Sequence, residues 1–357
     1  MEVVGVIRDF WRGRRVFLTG HTGFKGGWLA LWLADMGAEV WGYSLPPEDG
    51  PSFYAACNVG TCIADSTFGD VRDPDAILDA IAGARPECMF HLAAQSLVLG
   101  GYDDPVGTYA TNVMGTVNLL EAARKVDGIA AIVSVTTDKC YDNLETDVPF
   151  SEDAPLGGAD PYSSSKAAAE LVSAAYRRSF LNAARIGLAT ARAGNVIGGG
   201  DWSANRLLPD FFRSLERGEE LVLRSPEATR PWQHVLEPLS GYLTLAEALA
   251  SNRDHVAGAY NFGPDDRDAR PVQWIAEHLA ERIKGARWRT ERRSDQPHEA
   301  HYLRLDSGKA TRDLGWTPRW NLEQAIDRTI AWQEAWRDGA DMSGVSIDQI
   351  HAYEATA

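Results

Sequence analysis

The sequence is poor in cysteine, has no long apolar run and carries no excess of positive charge. Its four cysteines, Cys57, Cys62, Cys88 and Cys140, form no C-x-x-C pair and stand at no metal-type spacing from the eight histidines. A disulfide framework and a zinc-ribbon site are thereby excluded, no metal is expected, and the thiols read as reduced and mostly buried. No stretch approaches the roughly 20 apolar residues of a membrane span. The start MEVVGVIRDFWRGRR lacks the order of a secretion signal, so a soluble, cytoplasmic protein is expected. Lys and Arg number 35 against 50 Asp and Glu, a formal charge of -15. A chain so acidic has no basic face with which to displace counterions, so neither nucleic acid nor an anionic membrane is an expected partner. Any anionic ligand must be held by local groups.

With 45% apolar and 24% charged residues the composition is globular, and 357 residues suffice for two domains or one large domain with a second lobe. The twelve tryptophans are expected mostly in the core. The first half alternates short β-branched or apolar runs with longer periodic segments, the pattern of βαβ units and a parallel sheet. Strands are read at Arg15 to Thr19, Glu39 to Tyr43, Thr61 to Asp65, Glu87 to Ala93, Ile129 to Thr136 and Ile186 to Ala193. Helices are read at Gly23 to Met36, Pro74 to Gly83, Pro105 to Lys125 and Pro161 to Phe180. The fold class expected is α/β, a Rossmann-type doubly wound parallel sheet with a smaller C-terminal α/β lobe. Beyond Gly200 the alternation weakens, and the segment from Gly339 onward carries little pattern and is expected to dock loosely.

Thr19-Gly20-His21-Thr22-Gly23-Phe24-Lys25-Gly26 sets three glycines between a strand and a helix. Glycines let the backbone turn tightly and approach a pyrophosphate, whose charge is met by N–H groups at the helix start. Gly20, Thr22, Gly23, Phe24, Lys25 and Gly26 are therefore candidate dinucleotide contacts. The acid that usually follows strand two to grip a ribose is missing, since that strand ends Trp41-Gly42-Tyr43-Ser44. The choice between NAD and NADP is left open by the local residues. Asp70 and Val71, after strand three, are candidates for the adenine.

Three further motifs fall at strand ends, where an open α/β sheet holds its ligand. Leu92-Ala93-Ala94-Gln95 is a small-residue turn against which a cofactor can lie. Thr137-Asp138-Lys139 follows the run Ile129 to Thr136, which is apolar enough to be buried on both faces. Tyr162 and Lys166, four apart at a helix start, share one face. A tyrosine with a pKa of about 10 is a poor base at neutral pH, and a neighbouring cation such as Lys166 favours its phenolate. Thr137 can hold the substrate oxygen from which Tyr162 takes a proton.

These motifs resemble the extended short-chain dehydrogenase/reductase family over roughly residues 14 to 335. Within it, Thr137-Asp138-Lys139-Cys140-Tyr141, Leu156-Gly157-Gly158 before Asp160-Pro161-Tyr162-Ser163, and Pro297-His298-Glu299-Ala300 are similar to the nucleotide-sugar 4,6-dehydratases. Where the dTDP-sugar branch carries Thr-Asp-Glu this chain has Thr-Asp-Lys, which favours the branch acting on CDP-D-glucose. The resemblance implies NAD as cofactor, contacted also by Tyr162 and Lys166. It implies Asp138 as the acid for a departing 6-hydroxyl and Lys139 as the base at C5. Asn195, Arg206, Arg230, His298 and Glu299 become the expected nucleotide-sugar contacts, and a homodimer or homotetramer is expected through the helices Pro105 to Lys125 and Pro161 to Phe180. On this basis residues 1–195 read as an NAD-binding Rossmann domain and 196–340 as a nucleotide-sugar lobe, some segments of which can return to the first domain. Residues 341–357 read as a tail.

Two segments depart from the family pattern: Ser96 to Tyr102 stands where Pro-Leu-Val-Arg is common, and Leu144 to Asp153 holds one aromatic, Phe150. Both flank the expected sugar pocket. The alternatives are a dehydratase or 4-epimerase of another nucleotide sugar (dTDP-, GDP- or UDP-hexose), or an NAD-sensing protein without turnover.

Overall fold

The computed structural model describes residues 6–251, 256–291 and 302–356. Seven strands form one parallel sheet: β1 (Arg15–Thr19), β2 (Glu39–Ser44), β3 (Asp65–Phe68), β4 (Cys88–His91), β5 (Ala131–Val135), β6 (Gly187–Ala193) and, after the short pieces β7 (Val196–Ile197), β8 (Leu221–Leu223), β9 (Thr229–Pro231) and β10 (Gln233–His234), the seventh, β11 (Ala259–Phe262). Their order is β11-β6-β5-β4-β1-β2-β3. The chain runs outward from β1 to β3 and then returns to β4, so the crevice between β1 and β4 is the switch point where such a sheet binds its ligand. β12 (Ala269–Pro271) pairs antiparallel with β9, and β13 (Trp288–Thr290) pairs parallel with β8, outside the main sheet. The Rossmann-type α/β architecture expected from the alternation is the one observed.

β4 and β5 are buried along their whole length, as strands covered on both faces must be. Seven tryptophans, Trp11, Trp28, Trp32, Trp232, Trp316, Trp320 and Trp332, are buried and the other five half-buried, so tryptophan is core here. Among the described residues no helix is long and apolar enough to cross a membrane.

Two expectations fail. Thr61 and Cys62 belong to a short helix, Val59–Cys62, entered through Asn58 in the left-handed region (φ 49°), and the third strand starts at Asp65. The segment after Gly339 is no loose tail. Met342–Glu354 is a helix burying Met342, Ile350 and Tyr353. Its Tyr353 hydroxyl donates to Glu237 at 2.8 Å, and Trp32 donates to Glu354 at 2.8 Å, fastening the helix to the core.

Candidate active site

The ends of β1, β4, β5 and β6 meet at the switch point, and each delivers part of the site. At β1 the chain turns through Gly20 (φ 81°), a conformation that other residues adopt only with strain. A Cβ on Gly20 would lie 2.8 Å from the Ala93 nitrogen, and one on Gly26 would lie 2.0 Å from the Gly20 carbonyl oxygen. The loop is thus packed directly on the Leu92-Ala93 turn, which the Thr19 hydroxyl fixes by accepting both backbone N–H groups at 3.2 Å. On its other side Gly23, the residue before the helix Phe24–Asp35, is exposed to solvent, and no side chain caps that helix. An open glycine cradle with uncapped helical N–H groups fits a dinucleotide pyrophosphate. Gly26→Ala is expected to lower stability by about 1–3 kcal/mol through overpacking and to abolish dinucleotide binding, read by thermal melts with and without NAD.

Thr22 donates to the Leu45 carbonyl at 3.0 Å and shares a 2.8 Å hydrogen bond with Ser44, so it locks the end of β2 rather than standing free for a ligand. The Asp70 carboxylate is clamped by Arg72 at 2.6–3.0 Å, which holds it below the usual carboxylate range, and Val71 is buried. Gln95 is likewise occupied: its amide donates to Thr108 at 3.0 Å, and Asn112 accepts its N–H at 2.9 Å. Ala94, with no polar side chain, lines the same turn half-buried.

After β5 the chain enters a 3₁₀ turn, Asp138–Cys140, capped by Thr137. The Thr137 hydroxyl donates to Asp138 Oδ1 at 3.0 Å. Asp138 is 1% exposed, and its Oδ2 has no hydrogen-bond partner among the described residues. Lys139 Nζ lies 3.6 Å from Asp138 Oδ1 and remains about one-third exposed. The helix Pro161–Tyr176 is started by Asp160, whose side chain accepts the Ser163 N–H at 2.9 Å, with Pro161 in the first turn where its missing N–H costs nothing. That start sets Tyr162 beside Thr137 and Asp138. Lys166 Nζ donates to the Val135 carbonyl at 3.1 Å.

The electrostatics follow from burial. Burial pushes the Tyr162 phenol up to about 12 against the pull of Thr137 and Arg206, and pushes the Lys166 ammonium down to about 8 against Glu170. Lys25 is pushed down to about 7, first by burial and then by Arg206, Lys166 and Lys139, with Asp138 opposing. Three lysines and an arginine thus gather round one aspartate in a protein of net charge -15. Such a cluster calls for anionic ligands, and diphosphates supply the charge. The sequence suggested Lys25 as a cofactor contact but gave no sign that its side chain turns toward the catalytic groups.

Among the described residues Asn195 Oδ1, like Asp138 Oδ2, is a buried acceptor with no hydrogen-bond partner. A Cβ on Gly194 would come within 2.9 Å of that Asp138 oxygen and 2.4 Å of Pro231, so glycine there lets the β6 exit close on the site. Arg206, preceding the helix Leu207–Arg217, donates to Asp201 at 2.9 Å and to Ser96 at 3.4 Å. Arg230, next to Pro231, is 3% exposed and donates to the Thr229 carbonyl at 3.0 Å. His298 and Glu299 lie outside the described residues.

A glycine turn at the switch point, a Thr/Tyr/Lys set and an adjoining Asp-Lys pair define an extended short-chain dehydrogenase/reductase. The family model described as GDP-mannose 4,6 dehydratase matches residues 17–329, and the chain belongs to that family. It is 48% identical over 353 residues to a CDP-glucose 4,6-dehydratase of Salmonella typhimurium, a match covering 97% of this chain and 98% of that protein. A dTDP-glucose 4,6-dehydratase of Xanthomonas campestris is 27% identical, covering 94% of this chain and 98% of that one. Among solved structures, dTDP-glucose 4,6-dehydratase from Bacillus anthracis in complex with NAD superposes with a TM-score of 0.75 at 21% identity, covering 93% of this chain and all of that one.

Proposed function

We propose that the protein is an NAD-dependent lyase converting CDP-D-glucose to CDP-4-dehydro-6-deoxy-D-glucose and water. The observation carrying this reading is the Asp138-Lys139 pair placed directly beside Thr137 and Tyr162. Oxidation or epimerisation at C4 requires the hydroxyl and the tyrosine but no second acid and base. The near full-length similarity to a CDP-glucose 4,6-dehydratase supports the substrate.

Bound NAD would be cradled by the Gly20–Gly26 loop and the Leu92-Ala93 turn; it would accept the C4 hydride, return it at C6, and lend its ring charge beside Tyr162. Thr137 holds the 4-hydroxyl and Tyr162 takes its proton, with Lys166 stabilising the phenolate. The resulting ketone acidifies the C5 proton, which Lys139 removes in its amine form, while Asp138 in its acid form gives a proton to the departing 6-hydroxyl, leaving the pair as ammonium and carboxylate until Lys139 returns its proton to C5. Arg206 and Arg230 grip the diphosphate and Asn195 meets the nucleotide sugar. Incubating the protein with a panel of CDP-, dTDP-, GDP- and UDP-hexoses tests the reading by mass: CDP-glucose must yield a product one water lighter. An unchanged mass with a new C4 configuration would make it an epimerase, and no conversion of any sugar would leave a binding protein.

A homodimer or homotetramer in the cytoplasm belongs to this reading. Val106, Tyr109 and Met114 on the helical stretch from Pro105, and Leu171 and Phe180 on the neighbouring one, are exposed apolar residues on helices that pack together. Sedimentation equilibrium is expected to return a dimer or tetramer mass, and Leu171→Glu a monomer.

A further inference from the structure

Behind Tyr162 and Lys166 lies a buried ionic network to which the chemistry above assigns no task. Glu170 stands one helical turn beyond Lys166 and is 4% exposed. One carboxylate oxygen accepts the Thr136 hydroxyl; the other accepts Thr190 at 2.7 Å and Arg192 at 2.8 Å. Arg192, 3% exposed, also donates to the Tyr141 hydroxyl at 2.8 Å. Thr136 immediately precedes Thr137, and Tyr141 closes the turn that carries Asp138 and Lys139. The carboxylate therefore ties the helix bearing the tyrosine and lysine to the loop bearing the acid and base.

We propose that Glu170 is a positioning residue for the oxidation step: its clamped carboxylate, one turn below Lys166, keeps that ammonium charged and seated on the Val135 carbonyl. The inference rests on the roles proposed for Tyr162 and Lys166. Around Lys166 the titratable groups are Glu170 and Tyr162 on its own helix, Cys140 on the 3₁₀ turn, Lys25 on the glycine-loop helix and His91 at the end of β4. Burial keeps Cys140 a thiol, holds His91 neutral by pushing it down to about 3, and keeps Tyr162 a phenol. Lys25 can only add repulsion. Glu170 is therefore the neighbour that opposes the effect of burial on Lys166. Glu170 itself faces Arg192 on β6, at 2.8 Å, and Arg177 further along its helix.

The test is an NMR titration of lysine side chains in protein labelled with 13C-lysine, with the Lys166 signal assigned from Lys166→Met, alongside the pH dependence of turnover. In Glu170→Gln the Lys166 midpoint is expected to fall by about one pH unit, tenfold in the ionisation equilibrium. The alkaline limit of turnover is expected to fall with it, with KM little changed, and Glu170→Asp to recover most of both. Should Glu170→Gln not fold, Glu170→Gln/Arg192→Met removes both charges together, which buried pairs tolerate better, and carries the same expectation. A midpoint that stays in place, whatever happens to the melting temperature, would make Glu170 purely structural and overturn the proposal. A midpoint that moves while the alkaline limit does not would sever it from the oxidation. The titration requires no turnover, so failure of the proposed reaction and failure of this inference are distinguishable.

Discussion

Tyr162→Phe is expected to lower kcat on CDP-glucose by about a thousandfold, the middle of the range for a positioned general base. KM and the melting temperature should stay close to those of the parent. The substitution removes one oxygen beside the Thr137 hydroxyl, which already donates to Asp138. The ring is 8% exposed and keeps its packing. Steady-state kinetics with a parallel circular-dichroism melt check this. Turnover at the parental rate would mean that another group takes the 4-hydroxyl proton. A collapse of folding with activity would mean that Tyr162 serves the scaffold instead.

Asp138→Asn is expected to separate the two halves of the reaction. The amide keeps the shape of the carboxyl group and can still accept from Thr137, but it has no proton to give to a leaving hydroxyl. Oxidation at C4 should proceed while water loss slows by about 10²- to 10³-fold. Quenching with borodeuteride early in turnover should then yield hexose labelled at C4 with its 6-hydroxyl intact. Lys139→Met is expected to stall at the same ketone, because no base remains to take the C5 proton, whereas Lys139→Glu sets the Thr-Asp-Glu of the dTDP-sugar branch in its place and is expected to recover part of the rate. A parental rate in Asp138→Asn would remove Asp138 from the elimination.

The elements that position this chemistry were legible because local signals and burial agree there. β5 reads as a fully buried strand from its β-branched run, and the structure buries all five residues from Ala131 to Val135. Asp160-Pro161 announces a helix start, and the helix begins at Pro161. Where the reading failed, tertiary contacts had overridden the local pattern. Thr61 and Cys62 look strand-like, yet they close a short helix entered through the left-handed Asn58. The true edge strand Asp65–Phe68 pairs only with β2 and leaves Thr67 and Phe68 exposed. The C-terminal helix hid for another reason. Its inward face comprises Met342, Ser346, Gln349, Ile350 and Tyr353, correctly spaced for a helix but interrupted by two polar residues. Those residues are buried because they are bonded: Ser346 accepts from Trp332 at 2.9 Å, and Gln349 donates to the Arg328 carbonyl at 2.9 Å.

Within the site, the Thr137, Asp138, Lys139, Tyr162 and Lys166 set was readable from motif and strand-end position, and the structure brings all five together. Gln95 and Thr22 were read as cofactor contacts, yet their side chains are held by the scaffold, a distinction that depends on Thr108, Asn112, Ser44 and Leu45 arriving from elsewhere in the chain. Glu170 carries little local signal of its role because its partner Arg192 lies on β6, outside its own helix. The one available signal was its spacing of four from Lys166.

The central claim is that the electron pair removed at C4 comes back at C6 of the same sugar. CDP-glucose carrying deuterium at C4, turned over and analysed by mass spectrometry and NMR, tests it directly. The expected product is one water lighter, with the deuterium now in its C6 methyl group. Deuterium lost to solvent, or retained at C4 in a product of unchanged mass, would contradict the account.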